Sequence, residues 1–104
     1  MTTPSPRENV VLVGQKPTMN YVTACVTFFN SGADNVVVKA RGLAISRAID
    51  TVELLRRGFI KDLNIVKIDI GTQELSGTEG KKSRISVIEI TIAKPSSKTN
   101  KKAS

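Results

Sequence analysis

Residues 35–59 read NVVVKARGLAISRAIDTVELLRRGF, and the period of the apolar residues changes partway through them. Three consecutive valines, Val36 to Val38, predict a strand over Asn35 to Ala40. Ile45, Ala48, Ile49, Val52 and Leu55 then recur at three- and four-residue spacing, which predicts a helix from Gly42 to Phe59 with one apolar stripe. Arg47, Asp50, Glu53, Arg56 and Arg57 fall largely off that stripe. Between strand and helix lies a basic turn of Lys39, Ala40, Arg41 and Gly42.

The same unit occurs upstream. Asn9 to Val13 predicts a short, fully buried strand, and Gly14, Gln15, Lys16 and Pro17 form a second basic turn. From Thr18 a helix follows with Met19, Val22, Cys25, Val26 and Phe29 on one face, Pro17 just ahead and Gly32 as its stop. Two strands that each pass through a crossover helix into one sheet bring their carboxyl ends to the same edge. Lys16 and Arg41 are therefore expected near each other. Each turn also opens a helix, whose first backbone N–H groups favour an anion.

The remainder predicts a long β-hairpin, with strands over Ile65 to Leu75 and Arg84 to Ala93 around a loop from Ser76 to Ser83. Val66, Ile68 and Ile70 share one face, and Ile88, Ile90 and Ile92 do so on the partner strand. Ile85 and Val87 have the opposite parity, which a bulge or twist near Val87 would reconcile. Both strands turn polar towards the tip, so the distal six or seven residues of each are expected to project about 20 Å as an arm.

The chain has 104 residues, enough for one small core, with 16 Lys and Arg against 9 Asp and Glu and a net charge of +7. Three of the lysines, Lys98, Lys101 and Lys102, lie in a polar segment from Pro95 to Ser104 that reads as a disordered basic tail. The stretch from Arg7 to Lys94 keeps 13 positive against 9 negative groups, so the body is basic without its tail. A basic surface of this kind suits a polyanionic partner. No apolar run approaches the roughly 18 residues needed to span a membrane. Met1 to Pro6 is polar and is followed by no apolar stretch, so it does not read as a signal peptide. Cys25 is the only cysteine, which points to a cytoplasmic, reducing setting.

The chain has no histidine. It therefore lacks the usual general base, the thiol–base pair and the common zinc ligands, and no catalytic residue, metal site or cofactor is assigned. Neither a P-loop nor a dinucleotide-binding glycine turn is present. Cys25, Phe28 and Phe29 read as core residues, and the shortage of other aromatics argues against a single-strand binder built on stacking. Arg47 has two readings, a phosphate contact or a surface ion pair with Asp50. Arg56 and Arg57 lie within helical reach of Glu53 and read as structural or interface residues. Phe59, at the helix end, fits either core or interface. Lys81, Lys82 and Arg84 are solubilising charges or contacts to a groove, and their short polar neighbours suit a narrow groove.

Taken in order, these segments resemble the Alba family of small, mainly archaeal chromatin proteins. The likeness runs through Asn9 to Val13, Gly14 to Val22, Val36 to Phe59 and Ser83 to Ile92, roughly nine tenths of the chain. The resemblance implies an α+β fold: a two-layer βαβαββ mixed four-stranded sheet with two helices on one face and an extended C-terminal hairpin arm. It also implies a homodimer that binds double-stranded DNA with its arms, coats or compacts it, and associates dimer to dimer on it. Carried over residue by residue, Lys16 and Arg41 contact phosphate and Arg47 is a further contact. Lys81, Lys82 and Arg84 serve the arm, and Phe59, with Arg56 and Arg57, serves dimer-to-dimer contact. RNA binding and pairing with a paralogue are also consistent with the family.

Three positions depart from the family pattern. Gln15 stands where relatives often carry an acetylatable lysine, Leu43 where the residue after the glycine is often basic, and Gly58 where a larger residue usually precedes the aromatic. Weaker DNA binding than that of a typical relative is the expectation.

The organisation expected is a disordered segment over 1–8, a nucleic-acid-binding domain over 9–94 and the basic tail over 95–104. The function expected is sequence-independent, architectural binding of duplex DNA on the chromosome. The alternatives are an RNA-binding protein or ribonucleoprotein subunit using the same surface, and a protein-interaction module whose charge serves only solubility.

Overall fold

The computed structural model describes residues 9–77, 80 and 82–95. The expected N-terminal segment, and all of the expected tail except Pro95, lie outside these residues. In chain order the elements are β1 (Val10–Leu12), α1 (Thr18–Asn30), β2 (Asn35–Arg41), α2 (Ala44–Gly58), β3 (Asn64–Ser76) and β4 (Lys82–Ala93). The four strands form one sheet in the order β1-β2-β4-β3. β1 and β2 are parallel, while β4 lies antiparallel to both of its neighbours, so β3 runs in the same direction as β1 and β2.

Alternation places Val36, Val38 and Ala40 of β2, with Ile88, Ile90 and Ile92 of β4, on a buried face. Tyr21, Val22, Cys25 and Phe29 of α1 and Ala48, Val52 and Leu55 of α2 pack against it. Burying that apolar face is what holds the two layers together. Thr51 is also fully buried in α2, and its hydroxyl donates to the Arg47 carbonyl one turn back at 2.8 Å, so no polar group is orphaned there. Burial pushes the Cys25 thiol up to about 12, which leaves it a protonated core residue at neutral pH. Among the described residues no helix is long and apolar enough to cross a membrane.

Several local expectations need correction. β1 is not fully buried: Val11 and Val13 enter the core, but Leu12 is 70% exposed because the other face of this edge strand carries no second layer. Met19 and Ile49 continue their helices' apolar faces beyond the width the sheet covers, and both are exposed. Ile68 and Ile70 lie opposite Ile90 and Ile88, on the core-facing side, yet they are exposed because β3 is the far edge of the sheet and neither helix packs closely over it. The bulge falls at Val66, between Ile65 and Lys67, rather than near Val87. None is needed at Val87: Ile85 and Val87 face the uncovered side of the sheet, where Ile85 packs against Gly42.

Candidate nucleic-acid interface

Because β1, β2 and β3 run the same way, both basic turns and the distal hairpin leave from a single edge of the sheet. β2 ends where Arg41 pairs with Val87, while β3 and β4 continue through five further pairs, from Thr72–Ser86 to Ser76–Lys82. At about 3.3 Å per residue this overhang is about 17 Å long. The arm rises beside the turns that carry Lys16 and Arg41.

The first turn is held from two directions. Tyr21 lies in the opening turn of α1, where side chains lean towards the helix N-terminus. Its buried hydroxyl oxygen accepts the backbone N–H groups of Gly14 and Lys16, both at 2.9 Å. Arg47 of α2 donates through Nη1 to the Gly14 carbonyl at 2.7 Å. Arg47 makes no ion pair with Asp50; it is half-buried and braces the turn. Lys16 itself is exposed and has no acidic partner among the described residues.

The second turn is tied to the root of the arm. Gly42 has a left-handed backbone, with φ +59°, and its N–H donates to the Ser86 carbonyl of β4 at 2.8 Å. A Cβ there would stand 2.9 Å from Ile85 Cδ1, so both conformation and space favour glycine. The Gly42 carbonyl accepts the Ile45 N–H at 3.1 Å and starts α2. Arg41 Nη1 reaches Gln73 Oε1 at 3.4 Å, a long contact that leaves the guanidinium exposed at the foot of the arm. Neither helix has a side-chain cap or an acidic residue in its first turn, so both present their positive ends at this edge.

On the arm, Lys82 is exposed without an acidic partner among the described residues, and Arg84 lies 3.9 Å from Glu74. Both groups of that pair are well exposed, and such a pair is readily screened. Lys81 lies outside the described residues. Lys39 is set apart from the edge cations, because it pairs with Glu89 at 3.3 Å on the open face of the sheet. A cavity of about 460 Å³ opens on that face, lined by Leu12, Arg41, Gln73 and Val87 among others. Arg56 and Arg57 both lie against Glu53, at 2.9 and 3.9 Å, away from the edge.

Phe59 follows α2 and is 49% exposed. The flexibility of Gly58 does not free it, since the N–H groups of Phe59 and Ile60 both donate to the Leu55 carbonyl. Leu54 of α2 and Ile65, Val66, Ile68 and Ile70 of β3 are also exposed apolar side chains, with Ile70 at 79%. Two residues important to this arrangement, Tyr21 and Gln73, were given no role by sequence reasoning. For Tyr21 a signal existed, since a hydroxyl-bearing aromatic four residues after Pro17 can fold back onto the preceding turn.

A family model described as Alba matches residues 9–72. Among curated proteins, the DNA/RNA-binding protein Alba of Methanocella arvoryzae is 50% identical over 95 residues, which span 91% of this chain and 99% of that relative. Among solved structures, Alba from Thermoplasma volcanium aligns with a TM-score of 0.77 at 46% identity, covering 83% of this chain and 100% of that one. ALBA1 from Trypanosoma brucei aligns with a TM-score of 0.68 at 27% identity, over 84% of this chain and 69% of its own. With a family model matched over more than half of its residues and a relative half identical along nearly its whole length, the chain belongs to the Alba family.

Proposed function

We propose that this chain binds nucleic acid as a sequence-independent, architectural protein of duplex DNA, and that it works as a cytoplasmic, chromosome-associated homodimer. The observation that carries this reading is the common edge: the Lys16 turn, the Arg41 turn and the hairpin arm all leave the sheet on one side. Lys16 and Arg41 contact backbone phosphate, and Lys82 and Arg84, with Lys81, follow the groove along the arm. Arg47 acts one step back, holding the first turn in place. None of these groups sits on a helix positioned to read base edges, so affinity comes from phosphate contacts and counterion release.

The exposed apolar strip of β3 is the surface on which a second copy packs. Such a strip is better covered than solvated. A paralogue with the same strip would fit equally. Phe59, with Arg56 and Arg57 beside it, is then free to join one dimer to the next.

With four described cations per protomer on phosphate, a dimer makes about eight contacts. A plot of log K against log salt concentration should then slope at roughly −7. Filter binding or fluorescence anisotropy on a random duplex measures it, and a slope near −1 would remove this model. RNA is the second reading, favoured by the name of the relative from Methanocella arvoryzae. Competition between duplex DNA and duplex RNA of equal length at one salt concentration separates the two.

A further inference from the structure

Leu43 is 98% exposed, the most exposed large apolar side chain among the described residues. A single exposed leucine ordinarily calls for no account. This one is different in where it stands. It follows Arg41 and Gly42 directly and occupies the cap position of α2, with φ −66° and ψ −17° and no capping hydrogen bond. Those dihedrals are helical, so Leu43 belongs to the opening turn of α2, where a polar side chain would suit solvent and leucine gains only if something apolar covers it.

Its platform is rigid and well placed. Gly42 is pinned to Ser86, the first β4 residue beyond the end of β2, and Ile85 packs against it, so Leu43 is carried at the root of the arm. On its flanks are the exposed Arg41 guanidinium and the positive end of α2, both of which seek anions. The surface that covers Leu43 is therefore apolar at its centre and flanked by negative charge. A minor groove, with sugar and base faces between two rows of phosphate, has that arrangement, and leucine is among the side chains that wedge between base steps there.

We propose that Leu43 is an apolar wedge that enters the minor groove of bound duplex DNA and opens a base step, so that this chain bends DNA as well as neutralising it. This inference rests on the duplex reading above. It gives the position after Gly42 a contact of a different kind from a phosphate-binding side chain.

The test uses the full chain, with Leu43→Ser and Leu43→Lys variants, on duplexes carrying 2-aminopurine at successive steps and a donor–acceptor pair at their ends. The wild-type protein should raise 2-aminopurine emission and shorten the end-to-end distance. Leu43→Ser should abolish both signals and weaken binding roughly tenfold, with an unchanged salt slope because no charge is lost. Leu43→Lys adds one cation per protomer, so it should steepen the slope of a dimer by about two units yet leave the bases stacked. The wedge is overturned if wild type and Leu43→Ser give the same emission and bend. It is equally overturned if Leu43→Ser loses only cooperativity, which would assign the side chain to a protein contact. In both cases a salt slope near −7 would leave the duplex reading standing, whereas a slope near −1 would remove that reading instead.

Discussion

Tyr21 and Arg47 show how much of this basic edge depends on side chains that brace it from behind. The phenol oxygen gathers two N–H groups of the first turn and the guanidinium holds its carbonyl, so Lys16 projects from a fixed backbone. Tyr21→Phe keeps the ring and removes the acceptor, leaving two partly buried donors unpaired. The expected loss is about 1–3 kcal/mol of stability, measured by urea unfolding. Binding should weaken too, and by less when Lys16→Ala is already present, since Tyr21 acts through that residue. Additive effects in this cycle would show that the brace and the lysine work separately. The placement of Lys16 and Arg41 at one edge was legible from the sequence because a basic residue beside a glycine turn, at the end of a parallel strand, is a local pattern. The role of Arg47 was not, because its partner, the Gly14 carbonyl, lies 33 residues away in the chain.

At the scale of the element, order and type were legible throughout, since the apolar period switches between helix and strand at each boundary. What the pattern could not give was lateral position within the sheet. Ile68 and Ile70 carry the same alternation as Ile88 and Ile90, and only the strand order β1-β2-β4-β3 shows that one pair is central and the other at an edge. The misplaced bulge has the same origin, because Ile85 finds its neighbour in Gly42 of another element. The arm allows a clean test. Replacing Lys82 and Arg84 together by alanine removes two cations per protomer, so the salt slope of a dimer should fall from roughly −7 to about −4. The melting transition should scarcely move, because both side chains are exposed and the Arg84–Glu74 pair is weak. An unchanged slope would remove the arm from the interface.

For the whole molecule the decisive feature is the set of exposed apolar side chains on β3, Ile65, Val66, Ile68 and Ile70. Ile68→Glu combined with Ile70→Glu places charge on it without touching the buried core. Sedimentation should then report a monomer, and the salt slope should fall to roughly half. A dimer that survived both substitutions would have to use another surface. The arm carries one more consequence. It is a cantilever clamped at its root by the Gly42–Ser86 hydrogen bond, with its last five residue pairs clear of the sheet. Over a length of about 17 Å, a tilt of about 10° at the clamp carries the tip through about 3 Å. In the proposed dimer on duplex DNA, two such arms would follow changes in duplex width through small adjustments at their roots, with no rearrangement along their length.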